Sequence, residues 1–313
     1  MTARLIMKLR VEKLSFSTPD VIHLQLVHPL RPALPEWDAG AHVDMRLPDG
    51  RVRQYSLCGD PADTARYEIA IKREANGRGG SVWAHQTLRE GCEVHISAPR
   101  NNLPLTSDGK RYVLIAGGIG ITPLLAMARS LKQRGTAFTL HYCARSPSEA
   151  PLLAELAQVC GDDLQCWFSK HGERFDPTVI GPPSPGTHIY ICGPQRLLDV
   201  VQSSVSEWPE DQVHCEHFQM TVDENFKPEP FEVTVASTGQ RILVPADKSL
   251  LDVLREHDFP LPSSCQMGVC GSCECGYRDG IVLHRDKVLP TSKRQDRLIL
   301  CVSRARVSVT LEL

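Results

Sequence analysis

Residues 263–277 read SSCQMGVCGSCECGY and set Cys265, Cys270, Cys273 and Cys275 within eleven positions. The opening residues, MTARLIMKLRVEKLSFS, interrupt their few apolar side chains with charges. A signal peptide needs a continuous apolar core, and a membrane helix needs about 20 apolar residues. A cytoplasmic protein is expected. Twelve cysteines in a reducing cytosol do not form a disulfide framework, and clustered thiols there bind metal or do redox work. At 313 residues the chain has room for two or three domains. With 35 basic and 37 acidic residues the net charge is -2, which leaves no electrostatic footprint for nucleic acid or a membrane surface.

Four residues separate Cys265 from Cys270, two separate Cys270 from Cys273, and Cys301 follows in RLILCVS. C-x4-C-x2-C with a distant fourth cysteine is the plant-type [2Fe-2S] spacing. Gly268, Gly271 and Ser272 let the backbone wrap a cluster and turn amide N–H groups toward its sulfurs. Zinc more often takes paired C-x2-C knuckles, and only Cys270 and Cys273 form one. Cys265, Cys270, Cys273 and Cys301 are therefore the expected metal ligands, and Cys275 is read as a small buried thiol. FEVTVA, the turn STGQ and RILVPA form a hairpin pattern, Ser249 caps the helical pattern SLLDVLREH, and RVSVTLEL ends the chain as a strand. This order resembles the β-grasp fold of plant-type ferredoxins over 231–313. That family implies a strongly acidic surface, yet the segment holds ten acidic and eleven basic residues. Such a balance suits a module fixed to its electron donor rather than a free carrier.

DENFKPEP at 223–230 has two prolines, charges and no apolar periodicity, and marks a linker. Upstream, RYVLIAGGIGITPLLAMARSLKQRG runs from an apolar strand through Gly117, Gly118 and Gly120 into an amphipathic helix closed by Gly135. A glycine turn between strand and helix converges free amides where the helix dipole is positive, which makes an anion site. FTLHYCARS followed by EAPLLAELAQV, and then HIYICGPQRLLDVVQSSV, repeat the scheme. A βαβ series predicts a parallel sheet with its ligand at the carboxyl ends of the strands. GGIGITP followed by ICGP is similar to the nucleotide domain of the ferredoxin-NADP reductase superfamily. The resemblance implies that the glycine turn, with Thr122 and Pro123, cradles a pyrophosphate and nicotinamide. It puts Cys192, Gly193 and Pro194 near the reactive carbon, with Arg145 and Ser146 at the adenosine end. No basic cluster surrounds Arg145, so NADH is expected over NADPH.

A hydride carries two electrons and a [2Fe-2S] cluster takes one, so a flavin is required between them. The first hundred residues supply short strands, VIHLQLVHP, GAHVDMRL, RQYSLCG, YEIAIKRE and EVHISAP, in the pattern of a small antiparallel barrel. Within it RQYSL is similar to the superfamily's R-x-Y-S flavin motif. Arg53 is thereby implied at the flavin phosphate, Tyr55 on the ribityl or ring, and Ser56 near flavin N5. In IKREANGRGGSVW, Lys72 ends a strand, and Gly79, Gly80 and Ser81 form a backbone nest with a capping hydroxyl, suited to a terminal phosphate. A terminal phosphate means FMN. Phe218, in HFQ, is a candidate to cover the flavin face.

The expected fold is multidomain: an FMN-binding antiparallel β-barrel over 1–106, an α/β parallel-sheet NAD domain over 107–222, the linker 223–230, and a β-grasp [2Fe-2S] domain over 231–313. The whole order resembles the phthalate dioxygenase reductase and vanillate demethylase reductase family. Membership implies an oxidoreductase that takes hydride from NADH and passes single electrons to a Rieske-type oxygenase, with Ser56, Thr122 and Cys192 nearest the hydride path. Two alternatives are an NADH reductase that feeds a ferredoxin or quinone, and a non-enzymatic electron carrier. A monomer suffices for each.

Overall fold

The computed structural model describes residues 5–218 and 226–313. The chain divides into two compact units, Met1–Phe218 and Gln219–Leu313. Part of the expected linker, residues 223–225, lies outside the described residues.

The first unit begins with β1 (Ile6–Thr18), β2 (Val21–Val27), β3 (Ala41–Arg46), β4 (Val52–Ser56), β5 (Arg66–Lys72), helix α1 (Gly80–Thr87), β6 (Glu93–Ser97) and β7 (Arg100–Asn101). The strands order as β4-β3-β6-β1-β2-β5, with β7 beside β3. A bridge between Leu57 and Ile69 joins the two ends, and the Cys58 amide donates to the Glu68 carbonyl at 2.9 Å, so the sheet closes as a barrel. Closure follows from alternation: Val43 and Met45, Ile69 and Ile71, and Val94 and Ile96 point inward and are buried. Each such side chain contributes about 1.5–3 kcal/mol. The sequence pattern did not predict β1. Met7, Leu9 and Val11 are nonetheless buried between exposed Lys8, Arg10 and Glu12, an ordinary half-buried strand interrupted by a bulge after Val11.

The same unit continues with β8 (Arg111–Gly117), α2 (Ile121–Arg134), β9 (Ala137–Ala144), α3 (Leu153–Cys160), β10 (Leu164–Phe168), β11 (Thr187–Cys192), α4 (Gln195–Ser204) and β12 (Val213–Glu216). All five strands are parallel, in the order β10-β9-β8-β11-β12. Strands buried on both faces read as continuous apolar runs, which is why VLIAG and HIYIC stand out. Gly135 adopts φ 63° at the end of α2, the left-handed position that lets the helix stop.

The second unit comprises β13 (Phe231–Val235), β14 (Arg241–Val244), α5 (Leu250–Glu256), β15 (Glu274–Leu283), β16 (Arg297–Ile299) and β17 (Arg304–Leu311), in the order β14-β13-β17-β15-β16. The β13–β14 hairpin turns through Gly239, and Ser249 caps α5 by accepting from the Asp252 amide at 3.1 Å. β17 runs parallel to β13 and antiparallel to β15, which is the mixed sheet of a β-grasp. Arg304 pins this sheet to its surroundings with 2.9 Å hydrogen bonds to the carbonyls of Glu229, Pro245 and Lys248. No helix among the described residues is long and apolar enough to cross a membrane.

Candidate functional site

The site residues expected from the sequence fall into three groups. The first forms where β8 and β11 end side by side, with Ile115 opposite Ile191 and Ala116 opposite Cys192. A Cβ on Gly120 would run into the Cys192 carbonyl, one on Gly117 would sit 2.6 Å from Pro194 Cδ, and one on Gly193 would sit 2.9 Å from the Gly117 nitrogen. The two turns, GGIG and CGP, therefore close on each other only because they carry glycine. Thr122 and Pro123 are buried in the first turn of α2, and the Thr122 hydroxyl donates to the Ile119 carbonyl at 3.0 Å. Cys192 is fully buried, and burial pushes its thiol well above the ordinary range, so it stays neutral. Its neighbour across the sheet is Glu216. Burial raises that carboxyl to about 8, and Oε2 has no hydrogen-bond partner among the described residues. Phe218 packs half-buried on the core of this unit.

At the end of β9, Arg145 is largely exposed and lies 3.6 Å from Glu149, while the Ser146 hydroxyl donates to the Glu149 carboxylate at 2.8 Å. Lys170, 2.6 Å from the same carboxylate, and Ser146 hold Glu149 below its usual range. Arg145 and Ser146 thus share one acidic partner that sequence reading missed.

The second group gathers on β4 and the start of α1. Arg53 donates to the Val52 carbonyl at 2.8 Å and to the Arg78 carbonyl at 3.0 Å, and Arg51 donates to that same Arg78 carbonyl. A Cβ on Gly80 would come within 2.7 Å of Arg53 Nε, and one on Gly79 within 3.3 Å of an Arg51 Nη. The glycines let guanidinium groups lie against the first amides of the helix. Burial, and then Arg78 and Arg51, disfavour the charged form of Arg53. Tyr55 is packed against the core, and burial lifts its hydroxyl to about 12. Ser56 is buried at the end of the strand. Lys72 pairs with Glu74 at 3.1 Å. Ser81 differs from expectation: it lies inside α1, and its oxygen accepts the Glu74 amide at 3.0 Å instead of capping its own helix. The helix begins directly on left-handed Gly79, so no capping side chain fits there.

The third group is the cysteine loop. Cys265, Cys270, Cys273 and Cys301 are all buried. The Leu300 amide donates to the Cys273 carbonyl at 3.1 Å, which brings Cys301 beside the loop. The Met267 amide donates to Cys265 Sγ at 3.3 Å and the Ser272 amide to Cys270 Sγ at 3.5 Å. Gly268 and Gly271 take φ of 71° and 68°, which only glycine adopts easily. Cys275 faces its own following carbonyl at 3.2 Å and belongs to the apolar core.

Residues 233–306 match the family described as "2Fe-2S iron-sulfur cluster binding domain". The chain is 39% identical over 294 residues to the phthalate 4,5-dioxygenase oxygenase reductase subunit of Pseudomonas putida, covering 92% of this chain and 91% of that protein. It belongs to the phthalate dioxygenase reductase family. The solved phthalate dioxygenase reductase, described as "a modular structure for electron transfer from pyridine nucleotides to [2Fe-2S]", superposes with a TM-score of 0.76 at 37% identity and covers 98% of each chain. An intact type IV self-sufficient cytochrome P450 monooxygenase matches with a TM-score of 0.88 at 37% identity, over 98% of this chain and 41% of that chain. The present chain spans less than half the length of that P450.

The protein is an oxidoreductase, the reductase component of an oxygenase system, and its cofactors are FMN, NADH and a [2Fe-2S] cluster. The residues present fit these groups. Three buried cysteines in one loop, with the fourth held beside Cys273 by the bond from the Leu300 amide to the Cys273 carbonyl, suit a [2Fe-2S] cluster. Three guanidinium groups on a glycine helix start suit a terminal phosphate. Arg51, Arg78 and Glu216 were missed by sequence reading. Arg78 stands within the glycine nest and Arg51 lies two residues from Arg53, so both carried a local signal. Glu216 carried none, because its proximity to Cys192 depends on strand pairing.

Proposed function

We propose that this reductase transfers electrons from NADH to the Rieske centre of a separate oxygenase component, as a monomer in the cytoplasm. When bound, FMN accepts a hydride and releases electrons singly, which matches a two-electron donor to a one-electron cluster. The chain's residues supply position and potential. Arg53, with the amides of Gly79 and Gly80 and the side chains of Ser81 and Lys72, holds the flavin phosphate; Arg51 and Arg78 add charge. Tyr55 packs on the flavin, Ser56 donates a hydrogen bond near N5, and Phe218 covers a face. Gly117, Gly118, Gly120, Thr122 and Pro123 hold the pyrophosphate and nicotinamide, with Cys192, Gly193 and Pro194 walling the reactive end. Glu149, anchored between Ser146 and Lys170 and beside Arg145, offers a carboxylate to ribose hydroxyls, which favours NADH. Cys265, Cys270, Cys273 and Cys301 bind the two irons. The barrel is assigned to 1–106, the nucleotide domain to 107–222, the linker to 223–230 and the ferredoxin domain to 231–313.

The observation that carries this reading is the full-length match, 98% of each chain, to phthalate dioxygenase reductase. The metal-type spacing of the clustered cysteines supports a reducing compartment. The P450 match favours a second acceptor, a haem. The two are separated by incubating the NADH-reduced protein with a purified Rieske oxygenase and with a purified P450 haem domain. Faster reduction of the Rieske centre is expected. Reduction of the haem alone would give the second reading.

A further inference from the structure

Beneath the cysteine loop lies a charged group that no part of the electron path uses. The Asp286 side chain has no exposure. Its Oδ2 accepts the Leu289 amide at 2.9 Å and stands 3.8 Å from an Arg294 Nη; its Oδ1 stands 3.7 Å from His284 Nδ1. Arg294 in turn donates to the Asp286 carbonyl at 3.2 Å and the Leu289 carbonyl at 3.3 Å. The Arg294 carbonyl accepts from the Tyr277 hydroxyl at 2.7 Å and lies 3.0 Å from His284 Nε2. Residues 284–294 are therefore knotted around one buried carboxylate. Burying a carboxylate is costly unless it is paired and hydrogen-bonded, so a site of this kind invites a reason.

That reason lies at Gly268. The Lys287 amide donates to the Gly268 carbonyl at 2.9 Å, and a Cβ on Gly268 would fall 3.2 Å from Asp286 Cα and 2.6 Å from Val302. The loop is pressed between the knot and the chain just after Cys301. Gly268 directly follows Met267, whose amide donates to the Cys265 sulfur at 3.3 Å. Hydrogen bonds to cluster sulfurs set the reduction potential, because they stabilise the more negative reduced form.

We propose that Asp286 is a positioning residue for the [2Fe-2S] cluster: by knotting residues 284–294 it presses on Gly268 and keeps the preceding Met267 amide on the Cys265 sulfur. The inference rests on the four cysteines as ligands. It is tested by redox potentiometry of the whole reductase, with the cluster followed by EPR and the flavin as internal reference. Asp286→Asn removes the charge and keeps an oxygen for the Leu289 amide; Asp286→Ala removes both. In Asp286→Ala the cluster becomes harder to reduce, by about tenfold in its equilibrium, or about 59 mV for one electron, with an altered EPR signal. In Asp286→Asn the potential stays or rises, and the flavin potential holds in both. If Asp286→Ala sheds its cluster, Tyr277→Phe removes the hydroxyl bond to the Arg294 carbonyl without changing charge and should show a fall in the same direction. The proposal is overturned if the Ala and Asn variants shift together in one direction, which makes Asp286 a plain charge. It is also overturned if no potential moves or both lose the cluster, which makes it a packing residue. A wild-type protein without a [2Fe-2S] signal would overturn the ligand set as well.

Discussion

Replacing Arg53 with methionine removes one of three guanidinium groups gathered at the start of α1 and leaves the strand intact. Arg53 is half-buried, its charged form is disfavoured by burial and by Arg78 and Arg51, and the nearby Asp49 carboxylate is bonded to Arg51 at 2.7 Å. A phosphate dianion relieves that crowding. A hydrogen bond to a charged group contributes about 1.5–3 kcal/mol, so the variant should bind FMN roughly 10- to 150-fold more weakly at 1.4 kcal/mol per decade. The relief of repulsion between the remaining arginines and the lost one places the expected value in the lower half of that range. The assay is flavin fluorescence quenching on apoprotein, run with FMN and with riboflavin. Riboflavin lacks the phosphate, so its affinity should not change. Equal losses for the two flavins would show that Arg53 acts on packing rather than on phosphate, and the arginine cradle would lose its meaning.

Cys301→Ser should lose or weaken the cluster signal while NADH-dependent ferricyanide reduction persists and cytochrome c reduction collapses; Cys275→Ser should alter neither, and the reverse pattern would refute the ligand set. Ser56→Ala should slow flavin reduction in stopped flow roughly tenfold, about 1 kcal/mol or somewhat more, with the cluster spectrum unchanged; an unaltered rate would make Ser56 a strand residue only. Glu216 is raised by burial from 4.5 to about 8, so the folded protein holds a proton that the unfolded chain releases, and stability falls as pH climbs through that window. Glu216→Gln should therefore raise the melting temperature more at pH 8 than at pH 5; equal gains would mean the carboxyl is solvated.

The iron-sulfur domain was legible because three of the four candidate ligands lie in one loop whose spacing carries the chemistry. The parallel sheet was legible for a similar reason, since strands buried on both faces leave uninterrupted apolar runs. What the sequence hid is pairwise. The collision that makes Gly120 obligatory is with the Cys192 carbonyl, 72 residues away, and arises only once β8 and β11 are adjacent. Glu216 meets Cys192 by the same pairing of neighbouring strands. Strand β1 had a clean alternation, but its basic and acidic outer face drew attention to targeting rather than to structure. Ser81 misled because a hydroxyl beside glycines resembles a cap, whereas left-handed Gly79 already occupies the cap position. Asp286 was hidden because HRDKVLP reads as a charged, solvated stretch. Its side chain turns inward only after β15 and the 291–295 turn have closed around it.

Electrons that enter as hydride and leave singly through the cluster are seen in an anaerobic titration of the whole protein with NADH. The flavin and the [2Fe-2S] absorbance should bleach in one experiment, complete at roughly one and a half equivalents of NADH because the flavin takes two electrons and the cluster one. A flavin that bleaches while the cluster stays oxidised, or a protein that leaves NADH untouched, would contradict it.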